Sequence, residues 1–280
     1  MPSFPHKLVP ASHFTLEELT EAYNQTRVDY MVPMPMNVAR LTEYVETYDV
    51  DLDSSFVAMN STQMLGLGML GVRPKRSWIT RLGILPVKRR NGAGEAIVRR
   101  MLDASADKGI KVNILEVIKG NVPAHSLFRK LKFEETRELT ILRRPPIPPG
   151  AALLSEAQWF EKDAAMECLP ERNGYPAWTN ETESLANADH IYGLRVDLNG
   201  HGRGWLVFQR QQYNLSRIMY HTEDGDPAYI MTEMLNQLHS KYPTLDTYTE
   251  NVDAADPLFP AFEAAGYFEV FRRVEMVRKL

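Results

Sequence analysis

With 280 residues the chain exceeds one average domain, so one large or two medium domains are expected. Its composition, 44% hydrophobic and 24% charged, is that of a globular protein with a real core and argues against a disordered or fibrous chain. A net charge of −4, no apolar run near the ~20 residues of a membrane span, and a single cysteine argue against nucleic acid, membrane, disulfides and a cysteine-based zinc site.

The segment Met1 to Pro5 lacks the basic and apolar regions of a signal peptide, so a cytoplasmic location is expected. Thr15 and Glu18 have capping-box spacing, and Leu16, Leu19, Ala22 and Tyr23 follow at helical intervals. A second helix is expected over 37–48. The period then changes to that of strands at 55–59 and 64–72, joined by a polar turn at Asn60, Ser61 and Thr62. The stretch 78–85 reads as a third strand, stopped by Pro86. An amphipathic helix over 95–108 buries Ile97, Val98, Met101 and Leu102 and ends at Gly109. The apolar run 112–117 is a central strand, 123–131 a short helix, and 133–144 strand again. Strand, glycine loop, helix, strand is a βαβ unit, which puts 78–85 and 112–117 in one sheet.

Pro145, Pro146, Pro148 and Pro149 then crowd a stretch that neither helix nor central strand can cross. Residues 145–150 are therefore expected to be a stiff linker between a domain of 1–144 and one of 151–280. The second half repeats the order of the first. It offers a hairpin of 192–199 and 205–210 around Asn199 and Gly200, strand 215–221, helix 227–241, strand 245–250, helix 257–265 and strand 268–279. Leu127, Phe128 and Phe133 rhyme with Ala261, Phe262 and Tyr267, and together with the element order this favours a tandem repeat.

The chemistry concentrates at the glycine loop. Gly92 and Gly94 stand between a strand and a helix, where exposed N–H groups can cradle anionic oxygens, and Arg89 and Arg90 add positive charge. Gly-x-Gly alone is equally compatible with an ordinary turn. A dinucleotide fingerprint would need a third glycine and a ribose-binding acid, and a P-loop would need Gly-Lys-Ser/Thr; none is present.

The wider context is more specific. The run from Leu82 through Pro86 to Arg89, Arg90, Asn91, Gly92, Ala93 and Gly94 closely resembles the defining segment of the GNAT N-acetyltransferase superfamily. The run from Leu115, Glu116 and Val117 through Asn121, Ala124, Leu127 and Phe128 to Phe133 resembles its second segment. The resemblance implies an α/β chain of two tandem GNAT-like domains with mixed sheets flanked by helices. The first would be catalytic and the second degenerate, because no Arg-x-x-Gly-x-Gly recurs there. It implies that Leu82, Gly83 and Ile84 line a splayed strand pairing with the pantetheine arm of acetyl-CoA. Arg89 to Gly94 would hold the pyrophosphate, Asn121 would contact the cofactor beside the thioester, and Phe128, standing where many members have a tyrosine, would be a further cofactor contact. It further implies direct acetyl transfer to a primary amine of a small molecule or peptide, without metal, by a monomer or homodimer.

A cationic amine must lose a proton before it attacks a thioester. Glu116 interrupts an apolar strand, where burial would raise its pKa toward the range of a base. In relatives resembling ribosomal-protein alanine acetyltransferases this glutamate is the base. A glutamate pointing to water at a strand end is the plainer alternative. Phe128 cannot protonate a thiolate. Candidates for the acid are Ser126 or His125, unless both belong to an exposed helix face, and the C-terminal carboxylate of Leu280, by similarity to enhanced-intracellular-survival acetyltransferases. Residues 14–50 are expected to recognise the acceptor, with Met31 to Met36 as a pocket wall or a packed loop. Two alternatives remain: a mycothiol-synthase-like tandem transferase, and a non-catalytic acyl-CoA-binding or regulatory protein.

Overall fold

A computed structural model describes residues 7–61, 63–148 and 152–280. The first six residues, Thr62 of the expected turn, and Pro149 and Gly150 of the expected linker lie outside the described residues. The chain forms two compact units, the first running to Thr136 and taking in Val274–Leu280, the second Arg137–Arg273. This division differs from the boundary read at 145–150. The reason is packing: Val274 and Met276 are buried among the first unit's apolar side chains, and Leu142 among the second's.

The first unit contains β1 (Lys7–Pro10), α1 (Leu16–Gln25), α2 (Val38–Thr47), β2 (Phe56–Asn60), β3 (Gln63–Arg73), β4 (Arg76–Ile84), α3 (Ala93–Asp107), β5 (Val112–Ile118) and α4 (Val122–Lys130). Its sheet runs β1-β2-β3-β4-β5 and continues into the returning C-terminal segment. The capping box at Thr15 is formed in both directions, so α1 starts where its sequence says. β1 was not foreseen. It is a short edge strand closed by Pro10, which pairs antiparallel with β2 from Lys7↔Met59 to Pro10↔Phe56. Ile97, Val98, Met101 and Leu102 of α3 pack on Leu115 and Val117 of β5 and on Phe128, each contributing about 1.5–3 kcal/mol through burial.

β4 pairs parallel with β5 only from Arg76↔Val112 to Ile79↔Leu115. Beyond that point an extra β4 residue bulges against β3, between the pairs Thr80↔Met69 and Gly83↔Leu67, and Arg81 there is left-handed at φ 52°. The bulge turns the end of β4 away from β5 and leaves one edge of Leu82–Ile84 open.

The second unit holds most of β6 (Glu134–Arg144), then β7 (Gln158–Glu161), α5 (Lys162–Cys168), α6 (Thr182–Asn187), β8 (Ile191–Asp197), β9 (Gly202–Arg210), β10 (Asn214–Gly225), α7 (Pro227–Lys241), β11 (Asp246–Asp253), α8 (Phe259–Ala264) and the start of β12 (Phe268–Lys279). Its sheet order is β6-β11-β10-β9-β8-β7. The first unit's device recurs: β10 and β11 pair parallel from Asn214↔Asp246 to Ser216↔Tyr248, after which Arg217 bulges at φ 53°. Here the opening is stitched shut. Arg217 donates to the carbonyl of Thr179, Asn251 donates to the Thr179 hydroxyl at 3.0 Å, and Asn180 donates to the carbonyl of Glu250 at 2.8 Å.

Candidate active site

In the first unit, the open end of β4 forms one wall of a cleft of about 500 Å³. Leu82, Gly83 and Ile84 supply that wall, the loop from Arg89 to Glu95 the floor, and Asn121, Pro123, Ala124 and Leu127 the wall toward α4. The loop is built to receive an anion. Arg90 and Gly92 are both left-handed, at φ 65° and 88°, which turns successive backbone N–H groups toward one concavity. α1, α2, α4 and α7 each start under a capping side chain, whereas the N-cap of α3 is Gly92 and has none. Asn91 Oδ1 accepts from Ala93 N at 3.0 Å, covering one donor of that first turn. The uncapped end of a long helix carries partial positive charge, with Arg89 and Arg90 beside it.

Of the residues expected to bind cofactor, Leu82, Gly83, Ile84, Arg89, Arg90, Asn91, Gly92, Ala93, Gly94 and Asn121 all line this one cleft. Asn121 also caps α4, accepting from Ala124 N at 3.4 Å. Phe128 does not join them. The helical phase of α4 turns it inward, 5% exposed, with its ring 6.0 Å from that of Phe133. Ser126 lies on the exposed outer face of α4, and neighbouring His125 pairs with Glu135 at 3.1 Å. Leu280 is corrected most sharply. Its N–H donates to the carbonyl of Lys111 at 2.8 Å, just before β5 begins, whereas the cleft lies past the other end of that strand. Traversing β5 separates the two by roughly 20 Å at ~3.3 Å per residue.

Glu116 is half-buried on the face of β5 opposite Leu115 and Val117 and is not among the residues lining the cleft. Its charge acts on the hydroxyl of Tyr44, which meets Thr80 Oγ1 at 2.6 Å on the neighbouring strand. Burial pushes that hydroxyl's pKa well up, so it stays a neutral phenol. The Arg81 guanidinium lies 4.1 Å from the centroid of the Tyr44 ring and donates to the Tyr23 hydroxyl at 3.2 Å. Glu116 thus acts on a buried cluster formed by Tyr23 of α1, Tyr44 of α2 and the Arg81 guanidinium, next to the strand end that opens into the cleft.

The third wall was not identified residue by residue from sequence. Thr26, Arg27, Asp29, Tyr30 and Met31, following α1, close the cleft opposite α4. Asp29 grips Arg89 through two hydrogen bonds, Nη1 to Oδ2 at 2.8 Å and Nη2 to Oδ1 at 2.6 Å. Hydrogen bonding from Arg89 holds the Asp29 carboxyl below the usual carboxylate range. No motif announces this wall; only its place in the region read as acceptor-recognising was legible. Among the described residues, no helix is long and apolar enough to cross a membrane.

Residues 16–133 match the family described as Acetyltransferase (GNAT) family. None of the curated proteins matches the chain. Among solved structures, the fold is similar to a GCN5-related N-acetyltransferase from Sphaerobacter thermophilus, at TM-score 0.73 and 13% identity over 100% of this chain and 96% of that one. It is also similar to a tandem GNAT protein from the clavulanic acid biosynthesis pathway, at TM-score 0.68 and 13% identity over 98% of both chains. A putative acetyltransferase from Pyrococcus horikoshii aligns at TM-score 0.68 and 12% identity over 100% of this chain and 91% of its own. At such identities the likeness speaks for the fold alone. With the family match over the cleft-bearing residues, the chain carries a domain of the acetyltransferase (GNAT) family at 16–133, on a fold shared with a tandem GNAT protein.

Proposed function

We propose that the first unit binds acetyl-CoA in the cleft and transfers the acetyl group directly to a primary amine. The observation carrying this reading is the junction of an open β4 edge with an uncapped, arginine-flanked start of α3. An extended chain bearing amides fits the first, and a diphosphate fits the second. Backbone groups of Leu82–Ile84 hold the pantetheine arm, and the N–H groups at Gly92–Gly94 with Arg89 and Arg90 hold the diphosphate. Glu116 takes a proton from the ammonium of the acceptor. The freed amine nitrogen then forms a bond to the thioester carbon, the C–S bond breaks, the nitrogen gives up its second proton to solvent to become the amide, and the thiolate takes up a proton from solvent or from a cleft-lining group such as Tyr30. Cys168 belongs to the second unit's α5, which agrees with transfer that forms no acyl-enzyme.

A thiol-release assay with acetyl-CoA and an amine panel, combined with calorimetric CoA titration, tests the reading. Turnover is expected to fall by 10²-fold or more in Glu116→Gln, roughly the value of one general base, with CoA affinity retained. Gly92→Glu should abolish CoA binding, and unchanged affinity there would end the assignment. α4 has a phenylalanine, Phe128, and no tyrosine, so it offers no phenol to protonate the thiolate, which favours a second reading, a non-catalytic acyl-CoA sensor. CoA binding with no turnover across the panel would select it. A tandem transferase using both units is disfavoured, because in the second unit the Asp226 carboxylate itself accepts from Ala228 N and Tyr229 N at the start of α7.

A further inference from the structure

The segment following α1 and the Arg89 that it grips both occupy groups that the cleft offers to a ligand. Arg27 Nη2 of the segment donates to the carbonyl of Leu82 at 3.1 Å, and Arg89 Nε itself donates to that of Ile84 at 3.3 Å. Both residues alternate with Gly83, which pairs with Leu67 of β3, so their carbonyls face away from β3 toward the edge that β5 has left. An added extended chain with amide N–H groups would need those two acceptors. At the anion end, the Arg89 fork is filled by Asp29, and Arg89 Nη2 also reaches the carbonyl of Thr26 at 3.4 Å. The fit is close: a Cβ on Gly83 would overlap the Thr26 side chain. The Asp29–Arg89 pair nevertheless sits in solvent, its side chains 47% and 42% exposed, so it can exchange partners readily.

We propose that Asp29 is a built-in competitor for the anion site. It pairs with Arg89 to hold residues 26–31 as a strap over the cleft, and a diphosphate-bearing ligand enters by replacing the Asp29 carboxylate on that guanidinium. The exchange frees the strap, and with it the Leu82 carbonyl that Arg27 holds. This rests on the cleft being a CoA site, and it adds that cofactor affinity is a difference between two anions competing for one arginine. It also makes Asp29 a residue whose removal tightens binding, the opposite of an ordinary cleft wall.

Calorimetric titration of wild type, Asp29→Asn and Asp29→Ala with CoA and with inorganic pyrophosphate tests the exchange, alongside amide hydrogen exchange of residues 27–31. Both variants should bind CoA and pyrophosphate about two- to five-fold more tightly, the span of an exposed ion pair. Exchange at 27–31 should become faster in wild type when CoA is added. Equal or weaker binding in both variants, or slower exchange of the segment on CoA addition, overturns the proposal. Wild-type protein that binds pyrophosphate but not CoA would instead sink the cofactor reading while the competition at Arg89 could still be scored with pyrophosphate.

Discussion

Gly92 and Gly94 read alike in the sequence, as two glycines of one loop, yet the structure gives them different work. Gly92 is left-handed at φ 88° and starts α3, a conformation that costs an L side chain about 1–2 kcal/mol. Gly94 is helical, and a Cβ there would meet Leu127 and Ile84 at 3.5 and 3.6 Å, ordinary contact. Gly92→Ala should therefore lower stability by about 1–2 kcal/mol and weaken CoA binding at least tenfold. Gly94→Ala should keep or slightly raise stability, as a helical Gly→Ala change does. Paired thermal melts and CoA titrations separate the two, and equal losses would refute the distinction. The loop itself was legible because its chemistry is local, a strand end, two glycines and two arginines in succession. Asp29 was not, since its partner Arg89 is 60 residues away and no spacing rule connects them. Phe128 and Ser126 failed for another reason. A motif fixes position along α4, but only packing fixes which way the helix faces, and it turned Phe128 into the core and Ser126 to solvent.

At the level of elements, long periodic segments such as α3, α7 and β5 were readable, whereas α5 and α6, at 7 and 6 residues, are too short to show a period. Both bulged strands were readable as strands; the splay of β4 came only with the family resemblance and that of β10 was not foreseen, because a left-handed arginine leaves no mark in composition. α7 shows how the second unit differs from the first at the same structural point. Its start is capped by Asp226, so Asp226→Ala should destabilise that unit by about 1 kcal/mol and leave CoA affinity unchanged, as urea denaturation and titration would show. Further along, the buried His239 meets the Tyr267 hydroxyl at 2.9 Å, and burial, aided by the charge of Arg144, lowers its pKa to about 3. In the unfolded chain histidine titrates near pH 6.5. Below that the unfolded state takes up a proton that the folded state refuses, so stability is lost as pH falls from about 6.5 toward 3. The loss attributable to His239 should reach roughly 3 kcal/mol between pH 7 and pH 4.5, and a His239→Gln variant should show a correspondingly flatter decline in its denaturation midpoint. An identical decline in both proteins would rule His239 out as its source.

For the molecule as a whole, the proline-rich stretch looked like the seam because prolines interrupt secondary structure, but compactness is decided by which side chains share a core. The final segment, Val274–Leu280, belongs to the first unit although it is encoded furthest from it. Met276 is fully buried there and Val274 nearly so, alongside Ile79, Leu115 and Phe133. Arg278 donates to the carbonyl of Leu131 at 2.8 Å, and the Thr136 hydroxyl donates to the Glu275 carboxylate at 2.9 Å. The cleft is thus carried by a unit that is complete only after the second has been synthesised. A fragment of residues 1–144, the domain suggested by the prolines, would lack this strand, leave one side of β5 unpaired and expose those apolar side chains. It should aggregate or bind no CoA, while addition of a peptide spanning 268–280 should restore part of the binding. In the full chain Met276→Ala should cost about 2–5 kcal/mol and destabilise the first unit, as large-to-small core changes do. That loss should fall on CoA binding as well, with the apparent affinity dropping steeply near the first unit's melting temperature although Met276 touches no part of the cleft. A soluble 1–144 fragment that bound CoA as tightly as the whole protein would show that the returning strand is dispensable and that the boundary belongs at the prolines after all.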